Sequence, residues 1–268
     1  MPKRVQSPSS INTYRQCPRK YYYQYIMKLP TKPSIYLVRG SIVHEVLESF
    51  FTLRIELFEK GNHREGFMSF VSSCLARSWK HSKKSLDSLH ILPGEMEHYF
   101  IESHEMLRNF VDGFCSKLER KMAEGKELAN AFMELSPRVE EEIIDEGLSV
   151  KGFIDAVHDS PGSVVIMDYK TSNKMDITGE YRLQLAIYAL LYMNKYGRMP
   201  DKVGINFLRF GELLLDVDKS LLSYAKSEIM LIHERTLSGE IADYPRKVSA
   251  LCKWSNGQCD FFETCRPF

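Results

Sequence analysis

The succession of periodicities between residues 136 and 240 constrains the fold more than any other feature of the sequence. Residues 136–145, 148–159 and 163–170 have strand length and strand periodicity, and short glycine-containing turns separate them. The segments that follow are a helix (178–197), one or two strands (202–218) and a second helix (219–239). This β-β-β-α-β-α order predicts an α/β fold, with a mixed sheet flanked by helices.

The chain before residue 136 has helical periodicity. Residues 7–27 begin with serine and proline in helix-start positions and predict one helix. A second helix is predicted over 39–61, where Gly61 ends it. Two further helical segments, at roughly 65–80 and 95–125, predict an all-helical insertion.

We interpret the chain as one domain, because it contains no repeat, low-complexity tract or flexible linker. Its parts are a basic N-terminal helix with Cys17 (1–40), the helical insertion (about 60–130), the α/β core (136–240) and a cysteine-bearing tail (241–268). No uncharged apolar run approaches the roughly 18 residues that a membrane span needs. The N-terminal segment lacks the apolar stretch of a signal peptide, so we expect a cytoplasmic protein without membrane contact.

The charge distribution is more informative than the net charge of +1. Residues 1–44 contain eight lysines or arginines and no acidic residue, and six tyrosines are interleaved with them. Cations beside aromatic rings suit single-stranded nucleic acid. The alternative is a basic, tyrosine-rich helix that packs on the domain.

The third strand segment, "SVVIMDYK", ends on Asp168 and Lys170, which share one face because strand side chains alternate. The preceding strand carries Asp155, and a short turn makes the two strands antiparallel neighbours. Two adjacent carboxylates repel unless a cation lies between them, and Mg²⁺ or Mn²⁺ suits such ligands. A lysine beside the metal could polarise or deprotonate an attacking water, which is phosphodiester hydrolysis chemistry. The alternative is a surface salt bridge at a strand end.

These residues resemble a known family. "GFID" followed by "DYKT" looks like the core of the PD-(D/E)xK nucleases, specifically the RecB-like branch. "RGSIVHEVLE" matches the upstream helix of that branch with its histidine, "YRLQLAIYALL" matches its Q-x-x-x-Y helix, and "SPSSINTYRQCPRKYYYQY" matches its characteristic N-terminal segment. The motifs occur in the family's order between residues 7 and 265.

The resemblance implies roles for particular residues. His44, Asp155, Asp168 and the backbone carbonyl of Tyr169 would hold Mg²⁺ or Mn²⁺, with Lys170 assisting the attacking water. Gln184 and Tyr188, four apart on one helix face, would hold Lys170 or the DNA backbone. The predicted DNA contacts are Arg19, Lys20, Tyr21, Arg39 and Arg182. One acid of the run Glu140–Glu142 could join the site through water, although such runs are typical of a solvated strand edge.

Six cysteines in a reducing compartment argue against disulfides. Cys74 and Cys115 lie within helical patterns and are predicted core thiols. A subgroup of RecB-like nucleases, including AddB-type enzymes, the exonuclease V family and CRISPR-associated nucleases, holds a 4Fe-4S cluster with one cysteine before the core and three after it. The cysteines that match this layout are Cys17, Cys252, Cys259 and Cys265.

The spacing of these cysteines departs from the subgroup at one place. Six residues separate Cys252 from Cys259, where two are usual. An Asn-Gly turn within this gap could bring the two thiols together. Alternatively, Cys252 is not a ligand, or the site holds zinc.

Two functional hypotheses follow. The first is a metal-dependent DNA exonuclease acting at single-stranded ends, in DNA repair or CRISPR-type DNA processing. The second is a DNA-end-binding or scaffold subunit of a larger helicase–nuclease or integration complex, with subordinate nuclease activity.

Overall fold

The structure, a computed structural model, describes residues 4–58, 61–254 and 257–266. Its centre is a five-stranded sheet in which β3 and β4 are parallel and every other neighbouring pair is antiparallel. The strands, which are neighbours in chain order, are β1 (Arg138–Asp145), β2 (Val150–Ser160), β3 (Ser163–Lys170), β4 (Lys202–Phe207) and β5 (Gly211–Asp216). The mixed sheet flanked by helices is therefore confirmed.

The longer helices are α1 (Pro8–Gln16), α3 (Ile35–Phe50), α4 (His63–His81), α6 (Pro93–Ala123), α7 (Leu128–Leu135), α8 (Gly179–Tyr196) and α9 (Lys219–Arg235). The short elements are α2 (Pro18–Tyr21), a π-helical turn (Tyr22–Ile26), α5 (Lys83–Asp87), 3₁₀ turns at Ile55–Leu57 and Ile241–Asp243, the hairpin of β6 (Lys253–Trp254) and β7 (Gly257–Gln258), and α10 (Phe262–Cys265). None of the described helices is long and apolar enough to cross a membrane.

Helices cover both faces of the sheet. On the α8 face, α1, α8 and α9 bury Val157 and Ile166 in one apolar core. On the α6 face, α3, α4, α6 and α7 bury Met167 and Tyr169 in a second core. Helices α3, α4, α6 and α7, all of which precede β1, therefore form one complete layer of an α/β/α sandwich.

Two helix boundaries differ from the sequence-based expectation. The predicted helix 7–27 is interrupted at Cys17, whose φ of −160° and ψ of 114° are extended. Pro18 follows, and a residue before proline is disfavoured in the helical conformation. The predicted helix 39–61 begins earlier, at Ile35, and ends at Phe50, where Thr52 Oγ1 donates to the carbonyl of Ser49 at 2.8 Å.

Candidate active site

β3 ends on a connected set of polar side chains. Lys170 Nζ lies 2.5 Å from Asp168 Oδ2, and Gln184 Nε2 donates to Asp168 Oδ1 at 2.9 Å. The same amide nitrogen lies 2.8 Å from the Tyr188 hydroxyl. The predicted pairing of Gln184 with Tyr188 on one face of α8 is present, but Gln184 binds Asp168 rather than Lys170.

A second group of side chains lies beside Asp168. His44 on α3, Glu140 on β1 and Asp155 on β2 each offer one ligand atom, and these three atoms lie within 4.8 Å of one another. His44 Nε2 is 3.0 Å from the Tyr169 carbonyl oxygen, and its Nδ1 is 3.5 Å from Asp155 Oδ2. The Tyr169 carbonyl therefore faces this group, and its role as a metal ligand stays a prediction.

An irregularity in the sheet gathers these carboxylates. The pairs Val139–Ala156 and Glu141–Ile154 place Glu140 opposite Asp155. Glu140 has a φ of 48°, a left-handed conformation that costs a non-glycine residue roughly 1–2 kcal/mol. The strict alternation of β2 also breaks here, because Ile154 and Val157, three residues apart, both join the core on the α8 face. Strained backbone of this kind is characteristic of functional sites.

Burial and like charges make the site electrostatically unfavourable without a cation. Burial, followed by the charge of Asp168, raises the pKa of Asp155 well above its usual value of 3.8. Burial also raises the pKa of Glu140, and the charges of Glu48 and Asp168 add to this effect. A divalent cation would reverse both effects, so the residues present fit a metal ion.

The histidine and the lysine have opposite pKa shifts. Burial lowers the pKa of His44, which keeps the ring neutral and able to bind a metal. Burial alone would lower the pKa of Lys170, but the carboxylate of Asp168 outweighs it and the pKa is raised. Lys170 is therefore protonated in the metal-free site and suits charge stabilisation better than proton abstraction.

The cleft in front of these residues is lined by α1, by the start of α8 and by β2. Lys170, Gln184 and Tyr188 form one wall, and Phe153 with Lys151 lines another part. The Phe153 side chain is 48% exposed, and Lys151 Nζ lies 5.2 Å from its ring centre. An exposed ring beside a cation is a surface on which a base can stack.

Two of the predicted DNA contacts are not available to DNA. Tyr21 is completely buried, stacks on Tyr244 with ring centres 6.1 Å apart, and is bound by Gln6 at 2.9 Å. Arg39 is 2% exposed and lies 2.5 Å from Glu102. The sequence could not reveal the contacts with Glu102 and Tyr244, because the first lies 63 residues from Arg39 along the chain and the second belongs to the tail. Both predicted roles are therefore corrected.

The other predicted DNA contacts, Arg19, Lys20 and Arg182, have different surroundings. Arg19 donates to the carbonyls of Tyr244 and Ile241 at 2.7 and 3.2 Å, so it fixes the tail on the N-terminal segment. Lys20 binds Gln16 at 2.8 Å. Arg182 is exposed on α8 and stays a prediction. The basic N-terminal segment thus packs on the domain, which was the alternative interpretation.

The four cysteines predicted as cluster ligands come together. Cys17, Cys252, Cys259 and Cys265 line one small cavity at the junction of the N-terminal segment and the tail. Cys252 and Cys259 flank the β6–β7 hairpin, and the amide of Cys259 donates to the carbonyl of Cys252 at 2.9 Å. Asn256, in the predicted Asn-Gly turn, lies outside the described residues. The hairpin accounts for the six-residue gap, because it places both cysteines at its base.

The fold and this site define a nuclease-type α/β domain: a mixed sheet with Asp168 and Lys170 at the end of β3 and Asp155 within the neighbouring strand β2. Residues 6–266 match the family model of the PD-(D/E)XK nuclease superfamily, and the chain belongs to that superfamily. Its fold is similar to the crystal structure of a candidate exonuclease from Eubacterium rectale, with a TM-score of 0.52 and 14% identity over 93% of this chain and 86% of that one. None of the curated proteins matches the chain.

Sequence reasoning placed too little weight on Glu140, which it treated only as one of three adjacent acids. The hairpin gave no usable signal. Counting back equally from a two-residue turn at Glu146–Gly147 pairs residue 140 with residue 153, whereas the turn occupies residues 146–149 and the strand register places residue 140 opposite Asp155. The left-handed backbone at Glu140 has no signal either, because nothing in the local sequence demands it.

We predict that Asp155→Asn stabilises the protein in the presence of a chelator. The raised pKa of Asp155 means that the folded state loses stability as the pH rises from 3.8 through the shifted value. The variant should therefore melt higher than the wild type at alkaline pH, and the difference should shrink on acidification. Each kcal/mol corresponds to about 2–4 °C in Tm for a chain of this size.

With excess Mn²⁺ the wild type should melt at a higher temperature than Asp155→Asn, because only the wild type retains the full set of anionic ligands. The measurement is a thermal melt over a pH series with chelator or Mn²⁺. A variant that melts below the wild type in chelator at every pH contradicts the assignment of a repulsive, metal-ready site.

Proposed function

We propose that this protein is a RecB-like, metal-dependent exonuclease that hydrolyses phosphodiester bonds at single-stranded DNA ends. The observation that carries the proposal is the convergence of His44, Glu140 and Asp155 beside the Asp168–Lys170 pair, whose lysine lines the cleft. The biological setting, DNA repair or CRISPR-type DNA processing, is inferred from the resemblance in sequence.

The residues of the site have three separate roles: metal binding, stabilisation of charge and orientation of a ligand. His44, Asp155, Asp168 and the Tyr169 carbonyl, with Glu140 as an additional oxygen ligand, would hold Mg²⁺ or Mn²⁺. The bound ion would supply Lewis acidity and an activated water. Lys170, charged and 2.5 Å from Asp168, stabilises the negative charge that develops on the attacked phosphate. Gln184 fixes the orientation of Asp168 through its 2.9 Å hydrogen bond.

We predict that Lys170→Met lowers the cleavage rate by about 10²–10³-fold, the usual effect of removing one charge-stabilising group. Binding of the DNA should change little, because Lys170 acts on the developing charge. The assay follows 5′- and 3′-labelled single strands with Mn²⁺ and compares them with a circular single strand. Lys174→Met, at an exposed lysine four residues along the chain, is the matched control and should retain full activity.

Degradation of linear strands by the Lys170→Met variant at the wild-type rate would refute the assignment of the site. Cleavage of circular strands by the wild type would identify an endonuclease instead. No cleavage by the purified wild type, with activity only after a partner protein is added, would favour the subunit hypothesis.

The preference for single strands is supported by the exposed ring of Phe153 beside Lys151 in the cleft. Stacking on an aromatic side chain contributes about 1–3 kcal/mol per base, so Phe153→Leu should raise the KM for a single strand about 5- to 150-fold. The rate on a small chromogenic phosphodiester without a base should stay unchanged. Trp254→Leu is the control, because Trp254 is a similarly exposed aromatic residue, at 49%, outside this cleft. Equal KM values for both variants would contradict the stacking role.

We also propose that Cys17, Cys252, Cys259 and Cys265 hold a 4Fe-4S cluster, which four thiolates around one cavity suit. The cluster would connect the N-terminal segment to the tail. Protein purified without oxygen should be brown and contain about four iron and four sulfide per chain. Cys17→Ser should lose the iron, whereas Cys74→Ser, at a buried thiol in α4, should keep it. A colourless protein that contains zinc would contradict the cluster.

A further inference from the structure

A cavity of about 700 Å³ lies on the α6 face of the sheet, where neither the proposed chemistry nor the DNA path uses it. Its floor is formed by side chains of four strands, among them His158 on β2, Met167 on β3, Asn206 on β4 and Leu214 on β5. α6 forms the wall, and the β4–β5 turn forms the rim. Protein interiors are normally close-packed, so an opening of this volume requires a specific cause.

Part of the cause is a glycine in α6. Gly113 lies in the middle of this 31-residue helix, between Asn109 and Lys117, which share its side of the helix and also line the cavity. A Cβ added at Gly113 would meet no atom within 4 Å. Glycine is unfavourable in a helix interior, and here it leaves the wall of the cavity open where any other residue would project into it.

The walls combine flat apolar surfaces with polar groups that lack protein partners. Phe110 and Tyr169 contribute rings whose centres are 5.8 Å apart at 88°. Among the described residues, the side chains of His158 and Asn206 accept and donate no hydrogen bond, although both line the cavity. Asn109 uses its amide nitrogen on the Leu208 carbonyl at 3.1 Å, which leaves its own oxygen available.

The charged side chains that line the cavity are held in ion pairs. Lys117 Nζ lies 2.7 Å from Glu212 Oε1, and the pair closes one side of the opening. Arg209 Nη2 lies 2.7 Å from Glu102 Oε1, a carboxylate that it shares with Arg39. Burial lowers the pKa of His158, so its ring is neutral and offers one donor and one acceptor. The cavity therefore presents uncharged hydrogen-bonding groups between aromatic and aliphatic surfaces, and each charged residue in its lining already has a partner.

We propose that this cavity binds a planar, uncharged aromatic heterocycle with hydrogen-bonding groups on its edge, namely a nucleobase or nucleoside. Flat rings stack on aromatic walls, and asparagine amides pair with the donor–acceptor edges of bases. A purely aliphatic ligand would leave His158 and Asn206 unpaired in an apolar environment, which is unfavourable. The volume lies within the usual range for small-molecule sites.

This site is separate from the cleft that contains Lys170, and Tyr169 is the residue shared between the two regions. Its ring lines the cavity and lies 6.4 Å from the His44 ring, and its backbone carbonyl also faces His44. The inference does not rest on the proposed nuclease function, because ligand binding is measured without cleavage.

The test is titration calorimetry of the full chain with adenosine, guanosine, cytidine, uridine and thymidine, in chelator so that the metal site plays no part. We expect saturable one-to-one binding of at least one nucleoside. Gly113→Leu, which projects a branched side chain into the cavity from its wall, should abolish the binding. Gly113→Ala, which adds one methyl group to the same helix position, should keep the affinity within about threefold. Asn206→Leu, similar in volume but without the amide, should weaken the binding at least about tenfold, the effect expected for a lost hydrogen bond in a buried site.

Two results would overturn the proposal: no saturable binding of any of the five nucleosides up to millimolar concentration, or equal affinities for wild type and Gly113→Leu. Thermal melts of each variant without ligand establish that it is folded before binding is compared.

Discussion

The repulsion among carboxylates at the centre of the sheet governs the arrangement around it. Asp155 and Asp168 lie on adjacent strands, Glu140 lies opposite Asp155, and Lys170 is the ammonium group paired with them. The neighbouring groups each reduce the repulsion: the amide of Tyr169 donates to Asp155 at 2.7 Å, and Gln184 donates to Asp168. A site that tolerates this much buried negative charge is preorganised for a cation, and the strain at Glu140 is part of the same arrangement.

The parts of the fold and site that could be predicted are those fixed by local sequence. Strand alternation placed Asp168 with Lys170 and Tyr169 opposite, and helical spacing placed Gln184 with Tyr188; the structure has both arrangements. The hairpin turn made β2 and β3 neighbours for the same local reason. These features follow from the two-residue period of a strand and the period of three to four residues of a helix. Both periods can be recognised within a short segment of sequence.

The features that escaped prediction depend on contacts between distant segments. Whether Arg39 is exposed depends on Glu102, which α6 brings to it across 63 residues. Tyr21 is buried because Tyr244 returns from the tail to stack on it. The cavity on the α6 face likewise lies between α6 and the β4–β5 edge of the sheet. The spacing between a helix and a sheet cannot be read from the periodicity of either segment. Composition suggested a nucleic-acid surface at the N-terminal segment, but burial decides which of its groups reach solvent.

The packing of the N-terminal segment against the tail has a consequence for the order in which the chain is made. Synthesis proceeds from the N-terminus, and domains generally begin to fold as they emerge. The ring stacking of Tyr21 and the hydrogen bonds of Arg19 cannot form until Ile241 and Tyr244, more than 200 residues later, have been synthesised. During most of translation, therefore, a basic and aromatic segment with no acidic residue remains uncovered, close to the ribosomal RNA that such a segment would attract.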